Sequence, residues 1–462
     1  MALDIPGPEA PRTGASPSGD VSAGTAGGSG QGRKAVRATI GSVWMGTTLE
    51  YVDFALYGLA AGLVFGPVFF PDTAPALALV VSYATYAVGF LARPAGALFF
   101  GRLGDRRGRK TVLLVTIALM GLATSGIGLL PSYATAGYLG PGLLLLLRMA
   151  QGFAAGAELS GGAIMLAETA EPKRRGLVTS VIAIGSNGGV LVASGVWLAI
   201  SAMPKDDLLA WGWRIPFLAS ILLAAATMIM RRKMPESPVF VEISEQSEQP
   251  AAKAVKAAEP AARGHRAFLA LLGLRIAENG PSYLCSTFVV GYVATYLSVS
   301  PGVPSLAVFI GALLGMATAP FVGQLSDRLG RRVVYRVLCA FLVVYPFVGY
   351  ALMGTKNPTV VFAVIVVGFV IASVCMFAAQ AAYGVELFGS RSRYKRMALG
   401  KEVGSALSGG IAPLVAAALL GWSGHWWAIA AYFALMAAIG FVTTFFTPET
   451  AGRDLHDARD AM

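Results

Sequence analysis

Runs of about 20 or more mostly apolar residues recur so often along this chain that few folds remain open to it. At about 1.5 Å of rise per residue, a helical run of that length crosses the roughly 30 Å hydrocarbon core of a bilayer. Spans are expected near 38–65, 76–100, 111–130, 140–166, 177–202 and 213–230, and again near 267–297, 304–322, 333–353, 359–387, 398–420 and 426–446. In hydrocarbon every backbone N–H and C=O must find its partner inside the protein, which selects helices over open sheets. The expected fold is an all-α membrane protein, with twelve transmembrane helices in two six-helix bundles. Composition agrees: 13% of residues are charged, where soluble domains carry about a quarter.

Polar segments set the expected boundaries. Residues 1–37 are rich in Gly, Ala, Pro and Ser and bury too little to offset ordering entropy, so they read as a disordered cytoplasmic tail. The first bundle then covers 38–232, a Glu-, Lys- and Ala-rich cytoplasmic linker 233–266, the second bundle 267–447 and a cytoplasmic tail 448–462. The stretch at 38–65 is too long for a signal-peptide core and lacks a following cleavage pattern.

The formal charge of +11 comes from short clusters beside apolar runs. Nucleic-acid binding would need one basic, aromatic-bearing soluble face, so it is not expected. Cations gather near Arg33, at 102–110, 173–175, 231–233, 328–332 and 391–396, while the alternate loops offer only Lys205 and Lys356. Cation bias across alternating loops places both termini in the cytoplasm and the basic loops against anionic lipid headgroups. Cys285, Cys339 and Cys375 fall inside apolar runs without ligand-like spacing, so neither disulfide nor metal site is indicated.

One basic stretch occurs twice. Gly101-Arg-Leu-Gly-Asp105-Arg106-Arg-Gly-Arg109-Lys110 returns as Gly323-Gln-Leu-Ser-Asp327-Arg328-Leu-Gly-Arg331-Arg332, each between two apolar runs. The two copies imply two related halves. Both resemble the loop between the second and third helices of each half in the major facilitator superfamily. The resemblance implies a conformational hinge at Gly101, Asp105, Arg106, Arg109, Asp327, Arg328 and Arg331, with Gly101 supplying backbone freedom for a tight turn. Internal duplication also favours a monomer over an oligomeric channel.

Glu50, Asp53 and Tyr57 lie three and four residues apart in the first span and share a helix face. An ionisable group at that depth is costly unless paired, protonated or facing water, so function is the default reading and a structural ion pair the alternative. The Glu50-Tyr-Val-Asp53-Phe-Ala-Leu-Tyr57-Gly58 sequence resembles the first helix of the metabolite:proton symporter family, which includes carriers of shikimate, 2-oxoglutarate, citrate and proline or betaine. Gly89-Phe-Leu-Ala-Arg93-Pro-Ala-Gly96, Arg148-x2-Gln151-Gly and Trp211-Gly-Trp-Arg214 extend the resemblance, which covers about 40–449.

Arg93 either holds a carboxylate bidentately or anchors the adjacent basic loop. Arg148 and Gln151 share a face, while Glu158 lies about 15 Å further along its helix and needs another partner. In the seventh span Arg275 and Glu278 sit one turn apart, beside Asn279, Gly280-Pro281 and Tyr283; the proline frees backbone groups and marks a kink. Gln380 is a further candidate for the cavity. Lys401 and Glu402 depart from the family pattern, and adjacent residues diverge by about 100° around a helix, so they pair poorly with each other.

These readings converge on a proton-coupled secondary active importer of a small polar metabolite, a carboxylate or zwitterion, working by alternating access in the plasma membrane. Asp53, Glu50 and Glu278 are the candidate proton-coupling acids. Tyr57, Arg93, Arg148, Gln151, Arg275, Asn279, Tyr283 and Gln380 are the candidate substrate contacts. Protons serve as the coupling ion and no cofactor is expected. An exporter of the same fold is the alternative, disfavoured because the fifth span reads Gly185-Ser-Asn-Gly-Gly189 without proline. An enzyme lacks a nucleophile, acid/base pair or metal constellation.

Overall fold

The computed structural model describes residues 28–107, 109–156, 159–232, 265–390, 393–455, 457 and 459–462; side chains at 28–39, 42, 104–110, 159–161, 230–231 and 394 lie outside the description. Twelve helical spans follow one another. They are α1 (Gly28–Leu63), α2 (Pro75–Arg107), α3 (Arg109–Gly128), α4 (Leu139–Ala155, resuming as Leu159–Thr169), α5 (Val181–Ile200) and α6 (Arg214–Arg232) in the first half. The second half holds α7 (His265–Tyr283, running on to Leu297), α8 (Gly302–Leu329), α9 (Arg331–Met353), α10 (Pro358–Gly368, running on to Glu386), α11 (Arg393–Ser405, running on to Ser423) and α12 (Trp426–Phe446). No strand occurs among the described residues.

Among the described residues, eight helices are long and apolar enough to cross a membrane, and the bent pair Lys205–Gly212 with Arg214–Ile229 makes a ninth at 42°. Of the other three, α1 carries Glu50 and Asp53, α7 carries Arg275 and Glu278, and α4 stops short at the undescribed residues 157–158. The outer surface bears Leu122, Leu222, Val337, Val344 and Phe446, all largely exposed. Such a belt is stable only with hydrocarbon as its solvent.

The first basic stretch differs from the expected turn. Helix α2 continues through Gly101 as far as Arg107 and α3 begins at Arg109. Gly101 is exposed, helical and next to nothing that a Cβ would meet, so it has no steric role in a turn. In the second copy the turn is made by Gly330, at φ +97°, a backbone conformation glycine adopts without strain. Helix α1 also reaches back to Gly28, into the stretch read as a tail; residues 1–27 lie outside the described residues.

Nor is α7 broken at Gly280-Pro281. The helix passes through Pro281 and widens into a π-helical turn at Leu284–Phe288, then another at Val293–Leu297. A wider turn accommodates the hydrogen bond that proline cannot donate. Similar π turns sit at Phe369–Cys375 in α10 and Ala406–Gly410 in α11.

The two halves meet at both ends. At the basic end Arg175 pairs with Glu386 at 2.9 Å and Arg393 with Glu168 at 2.8 Å, while the Gly176 and Leu177 N–H groups donate to Asp327 at 2.8 and 2.9 Å. At the other end Gly62 and Gly291 bring α1 and α7 into backbone contact, and the Tyr83 hydroxyl donates to the Thr287 carbonyl at 3.0 Å. Whatever lies between is enclosed.

Candidate functional site

Among the described residues, eight charged side chains lie within the spans between these two seals. The first half supplies Glu50 and Asp53 from α1, Arg93 from α2 and Arg148 from α4; the second supplies Arg275 and Glu278 from α7 and Lys401 and Glu402 from α11. None is more than 6% exposed. Four acids against four cations leave the enclosed set balanced, as charges taken out of water must be.

Local sequence explains the grouping. Three-residue spacing puts Arg275 against Glu278, which form an ion pair, and Arg148 against Gln151, which accepts a hydrogen bond from it. The Arg275 Nε donates to the Ser405 hydroxyl at 3.1 Å and its Nη1 to Gln380 at 3.1 Å, tying α7 to α11 and α10. Gly404 leaves the room for this, since a Cβ there would press on the Arg275 stem. Arg275, Gln380 and Lys401 line a narrow cavity between the halves, with Phe377, Leu271 and Ala163.

Arg93 is already engaged. Its Nε donates to Glu402 Oε2 at 2.6 Å and its Nη2 to Glu402 Oε1 at 3.4 Å and to Glu50 Oε1 at 3.0 Å. Glu402 therefore finds its partner across the interface in Arg93. Phe54 and Phe90 flank the same guanidinium, at 5.0 and 5.5 Å from ring centroid to Cζ. A bidentate pair between α2 and α11 ties the two halves at mid-depth.

Arg148 differs. It is fully buried, its Nη1 is held by Gln151, and the Gln151 amide in turn donates to Thr124 at 2.8 Å. Its Nε and Nη2, the edge that grips a carboxylate side-on, have no hydrogen-bond partner among the described residues. The rings of Tyr57, Tyr86 and Phe54 surround the guanidinium at 4.1, 4.7 and 4.8 Å. Tyr57 is fixed by its hydroxyl, which donates to Thr85 at 2.8 Å. Gly89 permits the approach, because a Cβ there would collide with Arg148 Nε. Asn279, 2% exposed, also holds an unpartnered amide nitrogen, one turn from Tyr283. Tyr283 packs on Tyr86 and Phe90 at 5.9 and 5.3 Å.

The expected hinge residues separate. Asp327 accepts the two N–H groups from the first half and pairs with Arg331, which also reaches Glu386 at 3.0 Å. Arg328 is exposed. The side chains of Asp105, Arg106 and Arg109, and all of Glu158, lie outside the described residues.

Glu386, Arg175, Glu168 and Arg393 were missed by sequence reasoning. The available signal was spacing: Glu168 precedes Arg175 by seven residues and Glu386 precedes Arg393 by seven, one set per half, and the structure pairs them crosswise. The tail after α12 joins the same seal. Glu449 accepts the Arg331 and Arg332 N–H groups at the start of α9, and the Arg453 and Leu455 carbonyls accept from Arg175 and Arg393 at 2.9 and 2.6 Å.

Comparison with known proteins fits this geometry. Residues 43–399 and 282–461 match the model of the Major Facilitator Superfamily. The shikimate transporter of Escherichia coli K12 is 36% identical over 425 residues, covering 90% of this chain and 95% of that one. The proline/betaine transporter of Salmonella typhimurium LT2 is 34% identical over 436 residues, covering 92% and 86%. The xylose transporter XylE of E. coli, in a partially occluded inward-open conformation, superposes with a TM-score of 0.68 at 17% identity, covering 91% of this chain and 99% of its own. The chain is a multi-pass membrane transporter that belongs to the major facilitator superfamily, among its metabolite transporters.

Proposed function

We propose that this chain is a proton-coupled importer of a small carboxylate or zwitterion, working as a monomer by alternating access, with its basic end and both termini in the cytoplasm. The observation that carries the reading is that, among the described residues, four acids and four cations are enclosed between the halves and Arg148 alone of the three arginines has an open edge. An enclosed site closes readily only when its charges balance, so an arriving substrate and an arriving proton compensate one another. Relatives described as a shikimate transporter and as proline/betaine transporters support a small organic acid or zwitterion as cargo.

In this reading Arg148 receives the substrate carboxylate, Asn279 and Tyr283 contact its polar body, and Tyr57 and Gln151 hold Arg148 in place. Arg93 and Arg275 organise the acids around it. Asp53 carries the proton, with Glu50 and Glu278 as relays. The basic loops at Asp327 and Arg331, and their counterparts at Asp105, Arg106 and Arg109, break and remake contacts with the lipid-facing end as the halves rock.

The test is uptake by liposomes containing the purified chain. With the outside made acid, radiolabelled substrate should accumulate above equilibrium and a protonophore should abolish the gain. Accumulation that ignores the pH gradient would sink proton coupling, and outward pumping would replace import with export.

A further inference from the structure

Resting on that reading, we infer that the substrate is a small monoanion, a carboxylic acid with no cationic group, and that a zwitterion such as a betaine or an amino acid is excluded. An ammonium or methylammonium group needs either an unoccupied aromatic face or an acid to pair with. Guanidinium groups already lie against most of the aromatic rings around the site. Arg148 occupies those of Tyr57, Tyr86 and Phe54, Arg93 those of Phe54 and Phe90, and Arg275 that of Phe377 at 5.6 Å. Tyr283 packs between Tyr86 and Phe90. A ligand cation would have to displace a guanidinium from its rings or lie beside it.

Three glutamates are similarly committed. Glu402 and Glu50 share Arg93, and Glu278 holds Arg275. Against this, Arg148 and Asn279 present donors: Arg148 Nε and Nη2 match the two oxygens of one carboxylate, and the Asn279 amide nitrogen suits a hydroxyl or carbonyl oxygen. Charge counting gives the valence. One proton taken by one of the four acids leaves the enclosed set at +1, a monoanion returns it to zero, a zwitterion leaves +1 and a dianion leaves −1. Transport of a monoanion with one proton is therefore electroneutral.

The test uses the purified full-length chain and a fixed panel at matched ionic strength: shikimate, lactate, pyruvate and benzoate as monoanions, glycine betaine and L-proline as zwitterions, 2-oxoglutarate and citrate as multianions. Thermal stability is read against concentration, because a ligand that binds only the native state raises Tm. At least one monoanion should raise Tm, the zwitterions should not, and Arg148→Gln should shift the response to at least tenfold higher concentration. A zwitterion or multianion that stabilises more than every monoanion overturns the inference, as does a panel in which no monoanion stabilises. If Arg148→Gln does not fold, the wild-type panel still decides, together with solid-supported-membrane currents: the stabilising monoanion should give no steady transport current in the presence of a pH gradient, and a sustained current contradicts the charge count. Gradient-driven accumulation of betaine would overturn this inference and leave proton-coupled import standing; binding of a monoanion that no pH gradient accumulates would overturn the coupled function alone.

Discussion

Among the described residues of the enclosed set the two halves carry the same charges, two acids and two cations each, but hold them differently. In the first half α2 and α4 touch through glycine: a Cβ at Gly96 would strike the Phe153 carbonyl, one at Gly152 the Gly89 carbonyl and one at Gly156 the Arg93 carbonyl. Backbone lies on backbone, and Arg93 and Arg148 project from that rigid pair. In the second half, π turns interrupt α7, α10 and α11 beside Glu278, Gln380 and Glu402. A π turn loosens the i→i−4 ladder and lets a helix bend locally. The first half is thus a fixed platform for the open cation, and the second is built to close around it. Related halves divide the work of alternating access unevenly.

The sharpest way to break this contrast is to remove one arginine from each half. Arg148→Gln takes away two charge-assisted hydrogen bonds to the substrate, so apparent affinity should fall about 100-fold or more while the folded protein loses little stability. Arg275→Gln should do the reverse, because it leaves Glu278 buried and uncompensated, a loss of about 3–5 kcal/mol. Binding isotherms and thermal unfolding of both variants check the pair; equal effects on both readouts would erase the distinction.

Much of this was legible in the sequence. Twelve spans, the duplicated basic loop and the shared face of Glu50, Asp53 and Tyr57 follow from hydropathy and helical spacing alone. What escaped was every contact between halves. Glu402 looked poorly placed beside Lys401, yet its partner Arg93 stands 309 residues away in the chain, a pairing no local pattern encodes. The same limit left Arg93 as either a carboxylate receptor or an anchor for the basic loop, whereas Glu402 fills its fork and Arg148 holds the vacant edge. The turn at 101–110 was misplaced for another reason: glycine at 101 and 104 permits a turn without requiring one, and the apolar helix simply continued.

Packing should separate the halves next. Gly152→Ala drives a methyl into a backbone carbonyl that cannot move aside, so destabilisation of about 1–3 kcal/mol is expected. Gly404→Ala meets side-chain atoms of Arg275 and Leu272 rather than backbone and should cost less. Thermal unfolding ranks them, and a larger loss at Gly404 would contradict a rigid first half. A smaller effect is expected from deleting 451–462, which removes the Arg453 and Leu455 carbonyls from Arg175 and Arg393 but leaves both ion pairs. The basic end should open more often, seen as faster labelling of a cysteine placed at Gly384, with substrate affinity unchanged; unchanged labelling would show that the tail adds nothing to the seal.

Proton coupling through α1 is tested most directly by Asp53→Asn, which fixes that side chain in the neutral form. In one set of liposomes, loaded with the panel acid that stabilises the protein most, counterflow should persist because substrate still crosses with a balanced site. Uphill accumulation driven by an acid exterior should disappear. Retained gradient-driven accumulation in Asp53→Asn would contradict the assignment and pass the role to Glu50 or Glu278, and loss of counterflow as well would mean that Asp53 serves the fold or the substrate rather than the proton.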